Sequence, residues 1–199
     1  MSQIQNEVTK FTELKYKYGL YRLRKDFRKP EDNAIACNLK QAKSIGIIYN
    51  ATKQEDFILV KDFVYKLKTI VPQVQAMGFV NNKELSDFHI QPLEFSFFCN
   101  SDLNWYYKPH EDSVDEFVKK EFDILIDLNF KELLAARFVL AESAALFKTG
   151  RFCIIEPNYY DLMIQLPKID KNQEDEEEVN PLKLLIQQTE HYLQMIKPE

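Results

Sequence analysis

Glycine is scarce in this chain: four in 199 residues, and Gly19, Gly46, Gly78 and Gly150 each stand alone. A Gly-rich phosphate loop or a dinucleotide fingerprint needs several glycines within a few residues, so neither is present. Cysteine is also rare. Cys37, Cys99 and Cys153 form no CxxC pair and are odd in number, which argues against a disulfide frame and for reduced thiols in a cytoplasmic protein. No run approaches the roughly 20 apolar residues of a membrane-spanning helix, and residues 1–7 lack the basic start and apolar run of a signal peptide. His89, His110 and His191 show no HxH or HxxxH spacing, so no metal site is expected; they read as solvated or singly bonded. Ser143 is not in a GxSxG elbow, which removes that hydrolase reading. No cofactor is implied.

The chain nonetheless has ample means to fold, with 45% hydrophobic residues and 13% aromatic. Its net charge of −5 is uneven: residues 1–43 carry ten Lys/Arg against five Asp/Glu, or +5, which leaves −10 for the remainder. Part of that acid is the run at residues 174–178. Such polarity favours self-association or a charged partner.

Hydrophobic periodicity predicts a helix over residues 3–28, with Ile4, Val8, Phe11, Leu14, Tyr18 and Tyr21 on one stripe and Pro30 beyond its end. Gly19 is expected to weaken it by about 1 kcal/mol relative to Ala. A strand over 44–49, a helix over 53–70 and a strand over 74–80 read as a βαβ unit. Thr52 with Glu55, Ser113 with Glu116, and Asn129 with Glu132 have the spacing of capping boxes. Residues 93–99 read as a strand, 103–107 as a hairpin or flap, 113–120 as a short helix and 122–128 as a buried strand. A long apolar helix is expected to follow, running to Gly150 as its C-terminal stop with Arg151 against its dipole. Strands over 152–156 and 162–166, an acidic loop over 168–180, and a helix started by Asn180-Pro181 complete the pattern. This alternation predicts an α/β fold: a three-layer α/β/α sandwich with a mostly parallel, Rossmann-like sheet. Residues 1–42 would supply a basic N-terminal helix and linker, and 43–199 the α/β domain.

In open parallel sheets ligands gather beyond the carboxyl ends of the strands. That rule selects Asn50 and Thr52 after the first strand, Asn81 and Asn82 after the second, and Asp127 and Asn129 after the buried one. Asn50, Thr52, Asn81, Asn82 and Asn129 are candidate ligand-binding residues, although Thr52 and Asn129 also suit ordinary caps. Asp127 is the one candidate catalytic carboxylate. Asp123 shares its strand face but stands ~13 Å away along the strand, too far for a direct pair. Cys99 and Cys153 read as inert buried thiols.

The segments Ser101-Asp102-Leu103-Asn104-Trp105, Phe122-Asp123-Ile124-Leu125-Ile126-Asp127-Leu128 and Tyr160-Asp161-Leu162-Met163-Ile164, with Phe147-Lys148-Thr149-Gly150-Arg151, resemble a family of small uncharacterised cytosolic bacterial α/β proteins. The resemblance spans nearly the whole chain and implies no activity, cofactor or catalytic residue. Residues 122–150 also resemble one βα unit of heptosyltransferase-type glycosyltransferases, without a donor-sugar motif.

Three function classes emerge. The leading one is an α/β domain binding a small polar ligand or a protein partner. The second is an enzyme acting on a nucleotide or phosphosugar, with Asp127 at its site. The third is an interaction protein using the basic helix, whose lysines and tyrosines also suggest nucleic acid or a membrane surface; the acidic pI of about 5.4 argues against nucleic acid. Trp105, Tyr106 and Tyr107 on the flap leave homo-oligomerisation open.

Overall fold

The computed structural model describes residues 2–27, 36–90, 93–154, 156–167 and 180–197, with side chains from residue 10 onward. Among these residues six strands form one parallel sheet: β1 (Ser44–Asn50), β2 (Gln73–Val80), β3 (Phe95–Cys99), β4 (Ile124–Asp127), β5 (Phe147–Arg151) and β6 (Leu162–Ile164). Their order is β3-β2-β1-β4-β5-β6, the doubly wound Rossmann-like arrangement, with its switch point between β1 and β4.

Helices cover both faces. Ile45, Ile47 and Tyr49 of β1 and Ile124 and Ile126 of β4 pack against α2 (Gln54–Lys68) and α5 (Pro181–Met195). Ile48 and Leu125 face α1 (Ser2–Asp26), α3 (Asp112–Lys119) and α4 (Leu134–Glu142). A strand buried on both faces has no polar side, so β1 and β4 read as continuous apolar runs. Asp127 ends β4 on the same face as Leu125, the side of α1, α3 and α4. Asn180 caps α5 as expected, its Oδ1 accepting from the amides of Leu182 at 2.9 Å and Lys183 at 3.3 Å.

Several local expectations are corrected. The long helix after β4 is in fact short. It ends at Glu142, where the buried Ser143 leaves helical backbone geometry and its Oγ accepts from the Ala145 amide at 3.2 Å. Residues 147–151, read as helix end and stop, are instead β5, in register with β4. Helical periodicity in this alanine-rich stretch is overridden by the backbone partners that β4 offers. The strand expected over 152–156 is accordingly displaced: residues 152–154 are irregular chain beyond β5, and residue 155 is outside the described set.

The three capping boxes are also corrected. Helix α2 starts at Gln54 with Lys53 at its cap, because the Thr52 hydroxyl accepts from the Asn81 amide at 2.8 Å. Helix α3 starts at Asp112, which leaves Ser113 inside its first turn. Helix α4 starts at Leu134, five residues beyond Asn129. Pro30 and residues 168–179 of the acidic loop lie outside the described residues.

Gly19 is a point of close approach. A Cβ there would meet the Tyr106 carbonyl oxygen and lie 2.7 Å from Leu134 Cδ2. Steric overlap with backbone costs about 1–3 kcal/mol, which outweighs the gain in helix propensity. Gly19→Ala should therefore lower the denaturation midpoint; an increased midpoint in urea would show that α1 does not pack this tightly.

Candidate functional site

The carboxyl ends of β4 and β5 meet the start of α4 and residues 157–160 in a cleft around Asp127. Asp127 is 4% exposed. Its Oδ1 accepts from the Asn129 amide at 2.8 Å and from Asn129 Nδ2 at 2.7 Å, while Oδ2 accepts from the Tyr160 hydroxyl at 2.8 Å. Burial raises the Asp127 pKa, and these donors with nearby Arg151 oppose the rise only in part. Burial likewise pushes the Tyr160 phenol well up, as does the Asp127 carboxylate.

Gly150 makes this contact possible. It lies beside Asp127 in the β4–β5 register, and a Cβ on it would fall 2.5 Å from Tyr160 Cε1. The bare glycine lets the tyrosine ring come against β5 while its hydroxyl reaches β4. Tyr159, just before Tyr160 in the chain, shares its hydroxyl between the carbonyls of Leu23 in α1 and of Phe27 immediately after α1, at 3.3 and 3.2 Å.

Two arginines border the cleft. Arg137 of α4 donates to the Pro157 carbonyl at 3.0 Å, and Arg151 of β5 donates to the Phe130 carbonyl at 2.9 Å. Lys131 adds a third cation, and Glu132 is the opposing acid. Among the described residues no side chain caps the N-terminus of α4, whose first residues border the same cleft. Among the described residues, two buried polar atoms of the lining have no hydrogen-bond partner: Arg151 Nε and Asn129 Oδ1. The empty space is about 510 Å³ with its open mouth, and the buried polar atoms that line it suit a small polar group. Cys153 also lines the cleft, in irregular chain and not in a buried strand; burial raises its thiol pKa, so it is no ready nucleophile.

Of the residues selected by sequence, Asp127 and Asn129 share this cleft. Asn81 lies in a second cleft, beside Asn100 and Tyr107, whose volume is about 460 Å³. Asn50, Thr52 and Asn82 border neither cleft. Asn50 Oδ1 accepts from the Thr52 amide at 3.0 Å, and the Asn82 carbonyl accepts from the Asn100 amide at 2.9 Å. These residues tie the β1–β3 ends together.

Arg137, Arg151 and Tyr160 were not among the selected residues. Arg137 left a legible trace, as the one charge in an apolar helix from Leu134 to Leu140. Arg151 and Tyr160 left none, since their role follows from β5 being a strand.

His89 also departs from expectation. It is buried, with Nδ1 accepting from the Ser86 amide at 2.9 Å and Nε2 against the Ala51 carbonyl at 2.9 Å. Nδ1 also lies 3.2 Å from the Ser86 carbonyl, so the ring is held from both sides. Among the described residues no cluster of His, Cys, Asp and Glu is arranged to hold a metal ion. No described helix is long and apolar enough to cross a membrane.

A model of a family of unknown function, DUF6913, matches residues 15–196. The chain belongs to the DUF6913 family. The expected membership of an uncharacterised α/β family is thus borne out. No curated protein and no solved structure matches the chain.

The Asp127 environment predicts a pH dependence. Its folded-state pKa is raised above the unfolded value of roughly 3.9. The folded chain therefore holds this proton more tightly than the unfolded one. The corresponding stability is fully present below about pH 4 and is lost as pH rises through the folded-state pKa. Asp127→Asn should remove that fall. Subtracting the two urea-derived stability profiles isolates it from Glu142 and Asp56, which are raised in the same direction. Parallel profiles would show that Asp127 is not the group responsible.

Proposed function

We propose that this DUF6913 protein binds a small polar, anionic ligand in the cleft between Asp127 and Arg151. The observation that carries this reading is the pair Arg151 Nε and Asn129 Oδ1, a donor and an acceptor buried in one cleft without a partner among the described residues. Leaving such atoms unsatisfied costs about 1–3 kcal/mol each, which a ligand with a carboxylate or phosphate oxygen beside a hydroxyl or amine would recover. Arg137, Lys131 and the uncapped start of α4 favour the negative charge. Asp127 acts as scaffold, holding Asn129 and Tyr160 in place. The unpaired cysteines support a cytoplasmic setting.

The second reading is an enzyme acting on a nucleotide or phosphosugar, whose anionic end would enter this cleft. It draws support from the raised pKa of Asp127, the property of a general acid.

A thermal-shift panel of inorganic phosphate, citrate, glucose 6-phosphate and AMP tests the binding reading. At tenfold excess over Kd a ligand adds about 1.4 kcal/mol of stability, a shift of a few degrees. At least one anion should raise the Tm, and Arg151→Gln should abolish that rise. No shift across the panel at millimolar concentration, or a shift retained by Arg151→Gln, would remove the reading.

A further inference from the structure

Helix α1 carries two apolar stripes, and the fold uses one of them. Tyr16, Leu20 and Leu23, with Phe27 just past its C-terminal end, recur at helical spacing and pack into the core shared with α3 and α4. Phe11, Leu14, Tyr18 and Tyr21 recur at steps of three and four, the a and d positions of a heptad. At 3.6 residues per turn the second stripe lies roughly 160° round the helix from the first. Phe11 is 58% exposed, Leu14 61% and Tyr21 54%. Every residue from Lys10 to Leu14 is exposed, so this part of the helix stands clear of the body. Trp105 of the flap, 53% exposed, stacks on Tyr18 at 4.7 Å between ring centroids and widens the apolar strip.

The flanks of this seam have one sign. With Phe11 and Tyr18 at a, the neighbouring e and g positions are Lys10, Lys15, Lys17, Arg22 and Arg24. Arg22 pairs with Asp26 at 2.6 Å and Arg24 reaches the Glu156 carbonyl at 3.3 Å, leaving the three lysines beside Phe11 and Leu14 as the outer charge. Like charges at these positions repel in parallel and antiparallel copies alike, so the seam selects against a second copy of itself. The acid run at residues 174–178 has the right charge but no apolar residue to fill the seam. A lipid surface suits a broad apolar face. Here the strip is two positions wide, and Lys15 and Lys25 lie over the rings of Phe11 and Tyr21, with Nζ 4.5 and 5.9 Å from the ring centroids.

We infer that the exposed seam of α1 docks an amphipathic helix of a protein partner with apolar a and d positions and Glu or Asp on its flanks. Apolar residues would fill the strip between Phe11 and Tyr21 while the acids pair with Lys10, Lys15 and Lys17. This inference is independent of the Asp127 cleft.

The test uses the full-length chain and two labelled 28-residue heptad peptides with Leu and Ile at a and d, one with Glu and one with Lys at e and g. Fluorescence anisotropy should show the Glu peptide binding at least tenfold more tightly than the Lys peptide. Raising salt from 50 to 500 mM should weaken binding. Phe11→Ser/Leu14→Ser, both exposed and therefore neutral for folding, should weaken it at least tenfold with an unchanged Tm. Equal binding of the two peptides, or equal binding by the double variant, would overturn the inference. So would vesicles containing 30% phosphatidylserine capturing the chain through Phe11 and Leu14 without Glu-peptide binding, or sedimentation showing that the chain self-associates through this seam.

Discussion

The structure around the candidate site depends on one constraint: the carboxyl group of Asp127 is buried at the end of a central strand. Such a group is tolerated only if its oxygens are met by donors, and hydrogen bonds to a charged acceptor contribute about 1.5–3 kcal/mol each. Here Asn129 supplies two and Tyr160 a third. Satisfying Asp127 therefore dictates the turn after β4, the path of residues 157–160 and the bare backbone at Gly150. These requirements also leave Arg151 Nε and Asn129 Oδ1 as the unsatisfied atoms of the cleft.

Residues 157–160 stitch the helical layer above this face of the sheet. The Pro157 carbonyl accepts from Arg137 of α4, Tyr159 reaches the end of α1, and Tyr160 reaches β4. The cleft is thus coupled to α1 through neighbouring tyrosines. The far end of the same helix carries the exposed basic seam. Helix α1 thereby has two distinct faces, one set by packing on α4 and the other exposed at Phe11, Leu14 and Tyr21 beyond the stack of Trp105 on Tyr18.

Much of the architecture was legible because hydrophobic period and burial are local properties of the chain. The apolar runs of β1 and β4, the stripe of α2 and the Asn180-Pro181 start of α5 all appear where residue pattern alone places them. The segment from Ser143 to Arg151 was not legible in this way. Its alanines and leucines satisfy a helical pattern, and only pairing with β4 shows that residues 147–151 extend. The candidate site divides along the same line. Asp127 and Asn129 follow from the rule for strand ends. Arg151 and Tyr160 depend on where β5 lies, and Asn81 comes to border a different cleft.

The scarcity of glycine removes phosphate-loop chemistry from this chain without reference to any fold. The same sequence also determines the parallel-sheet pattern and the basic start, because each is written in neighbouring residues. Tertiary structure alone decides what the few glycines do. Gly19 admits the Tyr106 carbonyl and the Leu134 side chain, and Gly150 admits the ring that secures Asp127. A missing Cβ acquires meaning only from the atom that comes to occupy its place, and here that atom belongs to a residue distant in the chain or in another element.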